Sequence, residues 1–290
     1  MLNFTESVIS LVDHKALVFI YFYGVYMFNI IAYIMFARLN FQRNYSYKMA
    51  NFSGLFTNIF FLVLRVSVFK AIYPPGIIIN DLTINDTLSY TCLTQSILMV
   101  VPQWGFFGVD DDIRTGQIII HLSRPINYYC STIAQHLGRS AFFLVFRTFP
   151  ILLFSALFGF LLPPASLEHI FLFFATMFFA SWIAISIHFI SELSAFWLDT
   201  SKGVKIITVG LIEFFSGLIF PITFFPETVK YFSKFLPFEY TLNAPSLIYL
   251  GKDHNLLYTI SMQIVWIIVL SLICIVLLSI GERKVVLHGG

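Results

Sequence analysis

Apolar and polar positions along this chain fall into long blocks. Seven apolar stretches stand out, at about 16–37, 52–72, 87–108, 138–162, 167–195, 204–225 and 257–280. Each is near the roughly 20 residues that carry a helix across a bilayer. Short-period alternation is absent, and an isolated strand cannot satisfy its backbone in lipid, so all seven are read as helices. No polar stretch approaches the roughly 50 residues of a separate soluble domain. Residues 1–290 are therefore expected to form one all-α integral membrane domain. Composition agrees: 58% of residues are hydrophobic, against about 45–50% in soluble domains.

Lysine and arginine give the orientation, because cytoplasmic loops are enriched in both. Arg38, Arg43 and Lys48 mark 38–50 as one basic loop, and Arg114, Arg124 and Arg139 mark 109–137 as another. The loop 196–203 has Lys202, with Lys205 just beyond, and Arg283 and Lys284 lie in the tail. By contrast, 73–86 carries Asp81 and Asp86 with no basic residue, and Pro163-Pro164 makes a bare turn. The basic loops and the C-terminus are expected in the cytoplasm, and the last six stretches then make six spans. The first stretch stays open. Tyr21, Tyr23, Asn29 and Tyr33 suit an interfacial helix, which is the working reading, whereas its unbroken hydrophobicity suits a seventh span. Glu6 and Asp13 precede it with no small-residue cleavage pattern, so no removable signal peptide is expected. Cys92, Cys130 and Cys274 are far apart, and the histidines show no ligand spacing, so neither disulfides nor a metal site is expected.

The densest polar chemistry lies at 109–127, from Asp110-Asp111-Asp112 to Arg124-Pro125. Acidic residues suit a helix start, Gly116 permits a bend, and Pro125 stops what precedes it. On helical phase, Ile113, Gln117, Ile120 and Arg124 fall near one side. Two readings follow: a solvated loop whose charges only fix topology, or a short amphipathic helix offering a docking face. After the sixth stretch, Val229, Phe232 and Phe235 recur at spacings of three to four, predicting a small amphipathic helix punctuated by prolines. Inside the spans, His188 and Glu192 share one helical face, and Glu213 lies in the next stretch. Ionisable groups in spans are costly and default to functional hypotheses. These three, with Phe225 and Phe232, are candidate substrate or gating contacts, and a structural polar contact is the alternative for the ionisable ones.

Asp112-Ile113-Arg114-Thr115-Gly116 followed by Leu122-Ser123-Arg124-Pro125-Ile126 resembles the cytoplasmic loop of type-2 ABC exporter permeases, the ABC-2 family. The family more often has Glu where Asp112 stands. Ser216-Gly217, Pro221, Phe225-Pro226-Glu227, Leu236-Pro237-Phe238 and Ala244-Pro245 resemble its outer re-entrant region, placed at 221–251. The likeness covers about residues 40–290. It implies six core transmembrane helices, an N-terminal interfacial or additional helix at 16–37, a cytoplasmic coupling helix within 109–127 and short outer helices. It makes Asp111, Asp112, Arg114, Gly116, Arg124 and Pro125 the expected ATPase-coupling residues. The chain has no GxxxxGK[ST] phosphate loop, so ATP and Mg would be held by a separate ATP-binding subunit and no cofactor by this chain. A second permease, identical or related, and membrane lipid are the other expected partners, with no role for nucleic acid. The implied activity is export of an amphiphilic or hydrophobic substrate across a bacterial inner membrane. A secondary transporter, built on His188, Glu192 and Glu213, and a lipid-modifying membrane enzyme, built on Asp110–Asp112, are the competing classes.

Overall fold

In a computed structural model, residues 30–73, 76, 78–105 and 107–288 are described. Among them the fold is helical, with one isolated bridge between Ile79 and Leu82 and no strand. In chain order the helices are α1 (30–46), α2 (Lys48–Ile72), α3 (Ile84–Ile97), α4 (Val109–Arg114) and α5 (Ile118–Leu122). They continue with α6 (Tyr128–Phe143), α7 (Phe149–Leu157), α8 (Leu167–Leu193) and α9 (Lys202–Phe215). The last three are α10 (Glu227–Ser233), α11 (Asn243–Tyr249) and α12 (Leu256–His288). Among the described residues, four segments are long and apolar enough to cross a membrane: Met49–Ile72, Tyr128–Leu157, Leu167–Phe196 and Leu256–Lys284.

The centre of the molecule is α8. Its small residues Ala180, Ser181, Ala184 and Ser186 are buried, which lets neighbouring backbones approach in the absence of water. It packs against α12, α11, α9, α6 and α4. Beside it, α3 is buried along most of its length although half polar. A capping box between Thr83 and Asp86 starts it, and Thr87 and Thr91 donate to the carbonyls one turn back. Tyr90 Oη bonds Gly217 O at 3.0 Å and Asn243 Oδ1 at 2.9 Å. Each polar side chain thus removes its own desolvation penalty.

The structure corrects several boundaries. The stretch 38–50, expected to be a loop, is helical to residue 46 and breaks only at Tyr47. No Gly or Pro interrupts 30–46, and Phe41 packs edge-on to Phe142 while Tyr45 packs on Phe146. Polarity alone was therefore a poor stop signal. The candidate segment 16–37 lies largely outside the described residues, and its membrane placement with it. Residues 138–162 belong to a longer unit that starts at Tyr128, capped by Asn127 Oδ1 accepting from Cys130 N. A π-helical turn, Leu144–Thr148, precedes Pro150, whose missing N–H disrupts the regular ladder.

Two expected unbroken stretches are broken. In 87–108 the helix ends at Ile97 and the chain turns through 98–105. This buried irregular backbone is tolerated because side chains satisfy it: Ser140 and Ser181 both donate to Val100 O, at 2.6 and 3.1 Å. In 204–225, α9 stops at Phe215, Gly217 takes φ +82°, and a short 3-10 turn follows at Ile222–Phe224. Gly217 is required there, since a Cβ would meet Tyr90 Oη at 2.1 Å.

The connections gather at two ends. At one, Lys252 Nζ pairs with Asp86 at 3.3 Å, Asn80 donates to Thr223 O at 2.5 Å, and Ala165 N donates to Tyr249 O. At the other, 107–128, 194–205 and the end of α12 meet, with Lys284 over the Trp197 ring.

Candidate functional site

The segment 107–127 is built as a rigid turn with an outward face. Gly108, at φ +83°, lets the chain swing into α4 without a side-chain cap of its own. That cap comes from α8: the Glu192 carboxylate accepts from Phe107 N at 2.7 Å and Val109 N at 2.8 Å. Two amides left orphaned at a helix start are thereby satisfied by one buried acid. His188, one turn earlier on the same face, approaches Pro102 O through Nε2 at 3.2 Å. Both side chains are buried at 0% exposure. Their contacts are with this chain's own backbone, on the segment that leads into the turn.

A second anchor reaches α9. Asp110 Oδ2 accepts from Lys205 Nζ at 2.5 Å and Ser201 Oγ at 2.6 Å, with all three residues buried. Burial pushes the Asp110 carboxyl up, but the bonds from Lys205 and Ser201 outweigh it and hold the group below its ordinary range. A third anchor reaches α6: Tyr128 Oη donates to Asp112 Oδ2 at 2.8 Å, and His121 Nε2 lies 3.5 Å from the same oxygen. Ile118 and Val109 fill the core beneath, beside Tyr129, Ile133 and Phe189.

Gly116, at φ +73°, then divides the turn into α4 and α5. Three members of the expected single phase, Gln117, Ile120 and Arg124, are exposed, and Ile113 is half-buried. The exposed face also takes in Asp111, Arg114, Ile119 and Pro125. Ile119 and Ile120 are 53% and 59% exposed, an apolar pair that folding leaves open beside flanking charges. Arg114 and Asp111 pair loosely across it at 3.7 Å.

Of the other candidates, Glu213 accepts from Trp104 Nε1 at 2.5 Å. Phe225 is buried and stacks on Phe214 at 5.0 Å between centroids. Phe232 is exposed on α10 near Tyr231 and Phe235, so the predicted amphipathic helix forms but over Glu227–Ser233 only. The structure does not bring these residues together with His188 and Glu192. Sequence reasoning missed Lys205 and Ser201 as partners of Asp110. The only signal was that all three flank apolar stretches assigned to one side of the membrane.

These features define a polytopic helical membrane protein with one anchored, outward-facing interhelical turn at 107–127. The family model described as ABC-2 family transporter protein matches residues 59–289, and the chain belongs to that family. It is thus a membrane domain of an ABC transporter, of the permease type, rather than an enzyme. Such permeases generally work with an ATP-binding subunit. No curated protein matches the chain.

Proposed function

We propose that this chain is the permease subunit of an ATP-driven exporter, and that the 107–127 turn is the coupling element received by a separate ATPase that holds ATP and Mg. The observation that carries this reading is the combination of an exposed Ile119–Ile120 knob with three anchors behind it, two of them buried and the Tyr128–Asp112 bond half-buried. An ordinary solvated loop needs no buried acid capping its first amides and no buried ion pair under its second residue. Desolvated charges of this kind cost several kcal/mol each unless well paired, so the anchoring is explained by a mechanical load. Closure of the ATPase pair would push on Asp111, Arg114, Gly116, Arg124 and Pro125. Glu192 and Asp110 would pass the push to α8 and α9.

Six crossings are the arrangement that this reading requires: α2, α3, α6–α7, α8, α9 and α12. The grouping of loops at two ends supports them. The coupling end would face the cytoplasm of a bacterium, together with the C-terminus. The spans offer few uncommitted polar groups, which favours an amphiphilic or hydrophobic cargo, with a second permease copy or relative completing the path.

The test is co-purification with the ATP-binding subunit. Arg124→Glu and Ile120→Asp should abolish retention of that subunit while leaving the chain's own thermal stability intact, because both side chains are exposed. Unchanged retention and unchanged stimulated ATP hydrolysis in both variants would remove the turn from the interface.

A further inference from the structure

A lateral slot of about 830 Å³ lies between α2, the turn after α3 and the 218–224 segment. Its length follows α2 from Thr57 to Ile72, roughly 22 Å at the helical rise. The walls are apolar: Phe61, Leu64, Val68 and Ile72 on one side, Phe220 and Phe224 on the other. Those four α2 side chains are exposed, so the slot opens sideways.

Polar residues interrupt that apolar lining, among them Arg65, Asn58 and Gln95. Arg65 donates to Gln95 Oε1 at 3.0 Å and to Leu218 O. Among the described residues no carboxylate pairs with it. Asn58, at 9% exposure, has an amide Nδ2 with no hydrogen-bond partner. Its backbone carbonyl, by contrast, accepts from Gln95 Nε2 at 3.4 Å. Trp104, which also lines the slot, donates to Glu213.

We propose that this slot receives an amphiphile with an anionic head group, the head held by Arg65 and Asn58 and the chain by the phenylalanine-lined wall. The inference rests on the exporter reading for its purpose and names the chemical class of the cargo. A guanidinium has five donors, and the bonds to Gln95 and Leu218 use two of the Arg65 nitrogens on neutral acceptors. A half-buried cation without a counter-ion and a buried amide without an acceptor both lack the same thing, an oxygen-rich anion. The apolar length excludes a free inorganic ion as the best fit, because it supplies chain-burying surface that such an ion cannot use. The volume is within the range of about 300–1,000 Å³ for small-molecule sites.

The experiment uses the purified full chain in phosphatidylcholine nanodiscs, labelled with photoactivatable phosphatidic acid or photoactivatable phosphatidylcholine and mapped by mass spectrometry. Phosphatidic acid should label α2 and 216–224 preferentially. Arg65→Gln should reduce that preference about tenfold, consistent with the loss of one charge-assisted contact, and Arg65→Lys should keep most of it. Asn58→Leu should weaken labelling without lowering thermal stability, since its Nδ2 bonds nothing. Equal labelling by both lipids, or a preference that survives Arg65→Gln and Asn58→Leu, overturns the proposal. So does displacement by excess inorganic phosphate, which would mean that the chain is not recognised. Disulfide cross-linking of Phe61→Cys between two copies, with no lipid labelling, would make the slot an interface between permeases and also overturn it. None of these outcomes depends on an ATPase, so failure here is separable from failure of the exporter reading.

Discussion

Replacing Glu192 tests whether the coupling turn is held rigid by α8. Its two carboxylate oxygens accept from Phe107 N and Val109 N, at 2.7 and 2.8 Å. A glutamine offers one oxygen and presents an NH2 donor where the second amide needs an acceptor. At least one bond to a charged group is lost, which costs about 1.5–3 kcal/mol. At about 1.36 kcal/mol per factor of ten, this is roughly 10- to 150-fold easier local opening. The effect should stay local, because α4 has only six residues and short, peripheral helices open as separate units. Amide hydrogen exchange, read by mass spectrometry on peptides covering 107–116, should speed by that factor in Glu192→Gln. Exchange in α8 and α12 should change little. Glu192→Ala should open the turn further, since both amides lose their partner. Unchanged exchange in 107–116 with either variant would refute the capping argument and return Glu192 to the list of substrate contacts.

Further outcomes follow from the other anchors. Asp110→Ala removes one partner of a buried pair and should cost about 3–5 kcal/mol, whereas Asp110→Leu with Lys205→Met should recover most of that in a thermal-melt double-mutant cycle. Because the Asp110 pKa is depressed in the fold, its stabilising contribution is complete above the ordinary 3.8 and is lost as pH falls through the lower folded value. An acid melt series should therefore show a wild-type loss in that window that Asp110→Asn lacks. Gly138→Ala should detach α1 from α6, because a Cβ there would meet Ala37 O at 2.0 Å. Cysteine cross-linking between positions 40 and 135, which the wild type brings within hydrogen-bond range at 3.4 Å, should fall sharply in that variant.

The amino-acid sequence alone determined that this is a helical membrane protein, because about 20-residue apolar blocks admit no other spanning structure in lipid. It also singled out the 107–127 turn proposed above as the coupling element, since Asp112, Gly116, Arg124 and Pro125 are a local pattern readable without contacts. Tertiary structure alone decided how that turn is anchored. Glu192 lies 83 positions from Val109, and Lys205 lies 95 from Asp110, distances over which no periodicity carries information. The breaks after Ile97 and Phe215 were hidden for a related reason. Hydropathy records how apolar a segment is, whereas a buried chain can leave the helix wherever Ser140, Ser181 or Tyr90 supplies the missing hydrogen bonds. Those partners come from other helices, and only folding brings them to the backbone.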